Sequence, residues 1–300
     1  METELYKIRS VQACFRAAYD LFCSNFKTII RKTWKPATAL SLAMGFTDLA
    51  YCSYLPSQVG NEQSLARMMM TYAAIMVIGV VSTGISVWFF GKFMGLLNGR
   101  TYHDNWPRAL RLTGISIIVI CALAVLIVLV CVPIIFMASS AAGHASNSIV
   151  ILSIALVGVL YIASLLALVP VSYSSMKYMM EPQQKAWSVF GKPYRQGWHH
   201  WGFLFLCGFL SIIIYSLIMS VVHMPVGIML LAKIISQRGM AMGDPAGIPV
   251  FFGLAVYVLA VTSYFIWSYL VLGMTTIFYY AYGSIEAKIK ETTQVTQTTE

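Results

Sequence analysis

The chain has 300 residues, 59% of them hydrophobic and 10% charged, with a mean hydropathy of +0.75. Soluble domains carry roughly 25% charged and about 45–50% apolar residues, so this composition excludes a water-soluble globule and points to an all-α integral membrane protein. The net charge of +9 does not indicate a nucleic-acid partner, which needs basic residues on a solvent-exposed module of their own.

Residues 1–10 are polar and lack the short apolar core and cleavage site of a removable leader, so insertion is expected from internal segments. From about 7 to 31 the pattern is amphipathic. Val11, Phe15, Ala18, Phe22, Phe26 and Ile29 fall within an arc of about 80° on a helical projection, with Arg9, Arg16, Asp20, Lys27 and Arg31 opposite. A basic amphipathic helix of this kind lies in the headgroup plane of a bilayer.

Six stretches then approach the length of about 20 apolar residues that crosses the hydrocarbon core. They are roughly 37–56, 68–91, 114–137, 148–170, 201–222 and 249–274. Ile117 to Met137 is apolar on every face, which a barrel strand of alternating character would not be. Residues 1–285 therefore read as a single polytopic domain of six transmembrane helices in three hairpins, with amphipathic interfacial helices on the cytoplasmic side. Residues 286–300 read as a polar tail with too little apolar surface to fold alone.

Seventeen of the twenty Lys and Arg residues fall in the N-terminal segment, the 92–113 and 177–200 connections and the tail. Arg67, Lys233 and Arg238 fall in the other connections, with the acids Glu62 and Asp244. Cytoplasmic loops retain positive charge, so both termini are expected in the cytoplasm and the protein in a bacterial inner membrane. Trp34, Trp106, Trp198 and Trp201 fall at the cytoplasmic boundary, and Tyr51 and Tyr54 at the far end of the first span. In the second connection Asp104 or Asn105 is expected to cap a helix with Pro107 in its first turn. In the third, Trp187, Phe190, Tyr194, Trp198 and Trp201 recur at helical spacing, with Pro193 as the expected break.

The order of elbow, long hairpin and elbow carries a resemblance. Pro170-Val-Ser-Tyr closes the fourth span, and Ala186-Trp-Ser-Val-Phe-Gly-Lys-Pro-Tyr-Arg-Gln-Gly-Trp-His-His-Trp-Gly follows. Ile277-Phe-Tyr-Tyr-Ala-Tyr-Gly-Ser-Ile-Glu286 forms an aromatic, then acidic exit. The chain resembles the six-helix membrane domain of bacterial glycerophosphoryl diester phosphodiesterases and its stand-alone relatives. These 300 residues show no counterpart of the soluble phosphodiesterase barrel. The resemblance therefore implies fold and membrane residence, not hydrolysis.

Asp48 is the one acid inside an expected span. An ionisable group there costs on the order of 2.5–3.5 kcal/mol on insertion scales and needs a partner or a water-filled cavity. Thr47, Ser53 and His223 are the available partners. His223 precedes Met224-Pro225 near the end of the fifth span, where a proline frees a backbone carbonyl and permits a kink. Asp48 and His223 are thus the candidate intramembrane polar site. The candidate anionic-lipid face comprises Arg16, Lys27, Arg31, Lys32, Lys35, Arg108, Arg111 and Arg195.

No His-Glu-x-x-His, Gly-x-Ser-x-Gly or phosphate-loop motif occurs. No catalytic residue, cofactor or metal is expected, and the six cysteines imply no disulfide framework. Gly91-x-x-x-Gly95 suits close helix packing within the bundle, or dimerisation. The leading expectation is a non-catalytic inner-membrane protein that organises anionic inner-leaflet lipid or a partner protein through its basic, Trp-rich cytoplasmic face. A small transporter or channel using Asp48 is the alternative.

Overall fold

The structure, a computed structural model, describes residues 4–54, 65–140, 147–243 and 247–298. Glu62 and Asp244 lie outside the described residues. Every regular element described is helical: α1 (Val11–Ser24), α2 (Phe26–Tyr54), α3 (Leu65–Asn98), α4 (Tyr102–Ser140), α5 (Asn147–Met180), a 3₁₀ turn at Ala186–Phe190, α6 (Lys192–His199), α7 (Trp201–Ala241) and α8 (Phe252–Thr298). Five of these, α3, α4, α5, α7 and α8, are long and apolar enough to cross a membrane. Their outward faces are bare hydrocarbon, with Val80 71%, Leu129 67% and Leu217 63% exposed. A soluble monomer rarely shows apolar patches on that scale, so this is consistent with a multi-pass membrane protein.

The helix α2, which contains the expected first span, is not among the five. Its first ten residues carry Lys27, Arg31, Lys32 and Lys35, and its later part holds Asp48 among Thr, Ser and Tyr. The amphipathic stretch expected over 7–31 is divided at Asn25, whose side-chain amide donates to the Leu21 carbonyl at 3.0 Å and ends α1. Residues 26–31 are the first turns of α2. Helix α4 starts at Tyr102, ahead of the expected cap: the Asp104 amide donates to Thr101 Oγ1, and the Thr101 hydroxyl donates back to the Asp104 carboxylate. Thr101 is thus the N-cap of α4. The tail from 286 is not separate, since α8 continues to Thr298.

The chain forms two compact units. The first comprises Phe15–Trp106 and Leu210–Ile277, with α2 packed on α3. Gly45 sets how closely α2 meets α8, because a Cβ there would stand 2.7 Å from Val261 Cγ2. Cys52, two turns on, joins Val226, Val256 and Ala260 in a sealed core. Where α3 gives way to α4, Gly99 takes the left-handed conformation (φ 69°). Asn98 and the fully buried Asn105 then exchange side-chain amide hydrogen bonds of 2.8 and 3.2 Å. Gly91 and Gly95 face this turn, so their spacing serves packing inside the unit.

The second unit comprises Glu4–Cys14, Pro107–Phe209 and residues 278–300. Helix α5 does not close at Pro170 but runs to Met180. A proline inside a helix orphans the carbonyl four residues back, here that of Leu166. Trp201 Nε1 donates to this carbonyl at 3.1 Å, and the Tyr194 hydroxyl donates to Ala167 O at 2.8 Å. Gly197 of α6 is packed so tightly on Pro170 that a Cβ would stand 2.9 Å from the ring. The helical break in the third connection lies at Gly191, and Pro193 sits in the first turn of α6, opening the helix rather than ending it.

Candidate functional site

Three arrangements of polar and apolar groups stand out, two in the first unit and one in the second. The first is built by α1 and the start of α2. Phe15, Ala18, Phe22, Phe26 and Ile30 roof a cavity of about 550 Å³ whose floor is Ile214, Ile218, Phe265 and Ile277 of α7 and α8. Three roof residues are each followed by an exposed cation: Phe15 by Arg16, Phe26 by Lys27 and Ile30 by Arg31. Nearby in the chain, Lys32 of α2, Lys92 of α3 and Arg100 converge with Tyr102 on a smaller pocket of about 230 Å³. Lys35 is exposed beside Trp34, its ammonium 5.8 Å from the indole centroid.

The remaining lipid candidates lie in the second unit, and they divide. Arg195 is exposed on α6. Arg111 lines a cavity of about 640 Å³ with Lys185, Trp187, Ile115 and Ile118. Arg108 is not a displayed cation. Its guanidinium donates to the carbonyls of Glu181 at 2.8 Å, Pro182 at 2.9 Å and Tyr178, and stacks 4.2 Å above the Tyr178 ring. It ties off the C-terminal end of α5, where a cation complements the helix dipole.

The second arrangement contains both intramembrane candidates. Gly45, Asp48 and Cys52 share one face of α2, so the glycine that admits α8 also turns the carboxylate toward α7 and α8. His223 Nε2 stands 3.6 Å from Asp48 Oδ2, beyond the 2.7–2.9 Å of a charge-assisted hydrogen bond. Tyr264 lies beside this pair, its ring centroid 5.5 Å from that of His223. Asp48 Oδ2 and His223 Nδ1 are buried atoms without a hydrogen-bond partner. His223 and Tyr264 line a cavity of about 550 Å³ that also holds Tyr215, Trp267, Met219 and Met274. Thr47 and Ser53 take no part, and Ser53 bonds back to the Leu49 carbonyl. Lys233, expected in an outer connection, is inside α7 and donates to the Cys52 carbonyl at 2.7 Å. Pro225 does not interrupt α7, and Ser263 supplies a hydroxyl to the Val222 carbonyl at 3.1 Å.

The third arrangement was not legible in the sequence. Lys177 Nζ contacts Glu286 Oε1 at 2.6 Å and Glu181 Oε1 at 3.6 Å, with Lys177 and Glu286 nearly sealed from solvent. Tyr173 donates to Glu286 at 2.5 Å, and Tyr282 donates to Glu181 at 3.1 Å. The segment before α1 closes over this cluster. The Arg9 amide and carbonyl both bond Ser284 Oγ, and a Cβ on Gly283 would collide with the Leu5 carbonyl. Arg9 therefore does not belong to the displayed polar face of α1.

Among the described residues no group of three or more His, Cys, Asp and Glu could hold a metal ion. Among the described residues Cys14, Cys23, Cys52 and Cys121 are free thiols. Burial pushes the Cys14 thiol up to about 11, which keeps it unreactive at neutral pH. No family model matches the chain, and neither a curated protein nor a solved structure proves similar to it.

Proposed function

We propose that the protein is a non-catalytic polytopic membrane protein that binds anionic lipid on a basic, aromatic-rich face. In this reading α2 is a sixth span, the helices form three hairpins, and both termini lie in the cytoplasm of a bacterial cell. The same reading takes the chain to resemble the membrane domain of glycerophosphoryl diester phosphodiesterases, which would imply this arrangement. The observation that carries the proposal is the cavity beneath α1. The apolar cavity of about 550 Å³ lies under one face of α1 and the start of α2 while Arg16, Lys27 and Arg31 are displayed on the opposite face, separate surfaces for the acyl chain and the headgroup of an amphiphile. Pockets of this size, apolar with a few polar groups at the edge, are where small ligands are held.

The test is lipid retention by the protein purified from mixed anionic and zwitterionic membranes, read by native mass spectrometry. Each Lys or Arg near an anionic surface contributes about 1 kcal/mol, so Arg16→Gln, Lys27→Gln and Arg31→Gln together are expected to lower the retained anionic fraction at least tenfold. The loss should shrink at high salt. All three side chains are exposed, so folding is not at risk. An unchanged lipid profile would overturn the proposal.

A further inference from the structure

We propose that Lys32, Lys92, Arg100 and Tyr102 form a binding site for a phosphate monoester group, carried by a lipid or free in the water phase. The inference goes beyond the lipid reading and uses none of Arg16, Lys27 and Arg31.

The first ground is how the chain builds the pocket. Helix α2 packs on α3 and delivers Lys32, while Lys92 stands on α3 ahead of its last turn. Gly99, in the left-handed conformation (φ 69°), then turns the chain. Gly95 lets the backbone beyond that turn close in, because a Cβ there would stand 3.0 Å from the Arg100 carbonyl oxygen. Arg100, Thr101 and Tyr102 thereby line the same pocket as the two lysines. Three cations from three segments share a space of about 230 Å³.

The second ground is the charge of that pocket. Like charges in a small space repel, and no Asp or Glu lines it. Asp104, the acid nearest to Arg100 in sequence, accepts a hydrogen bond from the Thr101 hydroxyl at 2.7 Å and is not among the lining residues. Neither Lys32 nor Lys92 forms an ion pair among the described residues. The Lys92 ammonium lies 5.4 Å from the Trp88 centroid, an attraction that leaves its charge uncancelled. The dipole of α3 does not account for Lys92, since that effect falls off within the last turn and the last turn holds no basic residue. An anion held among the three cations removes the repulsion.

The third ground selects the anion. The volume is below the roughly 300–1,000 Å³ of pockets that hold drug-sized ligands, so the site takes a headgroup and not an acyl chain. A phosphate monoester carries a charge of about −1.5 to −2 at neutral pH on three acceptor oxygens. Three cations answer that charge better than the single charge of a carboxylate or a phosphodiester. Arginine contributes a planar fork that matches phosphate geometry, and Tyr102 brings a hydroxyl donor.

The experiment has two arms, both on the full chain in nanodiscs at pH 7.5. In the first, the nanodiscs hold equal amounts of phosphatidic acid, a monoester, and phosphatidylglycerol, a diester, and native mass spectrometry reads which lipid stays bound. In the second, phosphatidylcholine nanodiscs are dialysed against radiolabelled inorganic phosphate, corrected with empty nanodiscs. A lipid-borne ligand predicts at least threefold preference for phosphatidic acid; a free one predicts saturable uptake of phosphate. Lys32→Gln with Lys92→Gln should abolish whichever signal the parent gives, and Lys32→Arg with Lys92→Arg should keep it. Arg16→Gln, Lys27→Gln and Arg31→Gln together should leave it unchanged, so failure of the lipid reading and failure of this site are told apart. Lys32 is exposed and Lys92 partly buried; a melting temperature equal to that of the parent separates lost binding from lost folding, and Lys32→Gln alone should give a smaller loss. Neither signal in the parent, or a signal unchanged by the paired Gln substitutions, would overturn the inference.

Discussion

Two buried ionic clusters in one chain have opposite characters. In the second unit Lys177, Glu286, Tyr173, Glu181 and Tyr282 form a closed set: Lys177 meets Glu286 at 2.6 Å, and each carboxylate accepts a tyrosine hydroxyl. In the first unit Asp48 and His223 stand at 3.6 Å, each with a buried atom that makes no hydrogen bond. A satisfied network rigidifies the elements it joins, here α5, α8 and the segment before α1, whereas a half-satisfied one is costly unless something else completes it. The contrast assigns architecture to the first cluster and leaves the second incompletely satisfied.

The largest expected effect breaks the closed cluster. Glu286→Ala leaves Lys177 buried with only the longer Glu181 contact, and removing one partner of a buried pair costs about 3–5 kcal/mol. Denaturant unfolding in detergent should show that loss. By contrast, Asp48→Asn should leave the melting temperature unchanged or raise it, since it removes a charge that was incompletely paired. Equal destabilisation by the two substitutions would erase the distinction between the clusters.

A smaller effect probes how α5 survives Pro170. Trp201→Phe keeps the ring stacked on Phe205, whose centroid is 4.9 Å away, but deletes the donor to the Leu166 carbonyl. Leaving that acceptor unpaired is expected to cost about 1–3 kcal/mol, measured in the same unfolding assay. No change would mean that the Tyr194 bond one residue along suffices.

The smallest effect concerns pH. His200, at the end of α6, is held below its ordinary value first by burial and then by the charges of Lys288 and His199. The unfolded chain therefore binds its proton more readily. The stability this contributes is complete above about pH 6.5, the unfolded value, and is lost as pH falls through the folded one. The melting temperature of the parent should fall slightly more between pH 7 and 5 than that of His200→Gln. Identical slopes would show that His200 carries no such linkage.

Much of the membrane architecture was legible because hydrocarbon length is a local property of sequence. The five apolar helices, the amphipathic start and the solitary Asp48 all announce themselves within windows of about twenty residues. The pairing of Lys177 with Glu286 does not. The two lie 109 positions apart, and a lysine beside a span end looks the same whether it is solvated or locked to another helix. Arg108 misled for the same reason: its charge suited a lipid face, but the carbonyls that claim it belong to the end of α5. Tyr264, the third member of the Asp48 site, gave no signal among seventeen tyrosines. Proline was misread twice: at Pro170 a distant indole takes up the freed carbonyl, and Pro193 falls in a first helical turn, where its missing N–H frees nothing.

Helices α7 and α8 have 41 and 47 residues, which at 1.5 Å per residue gives rods of about 60 and about 70 Å. A hydrocarbon slab is about 30 Å thick, so neither rod finds its depth by matching its ends to the two boundaries. The vertical position of such a chain is set by the side chains that prefer the boundary, the indoles and the long cations. Bilayers of different thickness would then meet the same anchored residues, with the surplus helix taken up in the water phase.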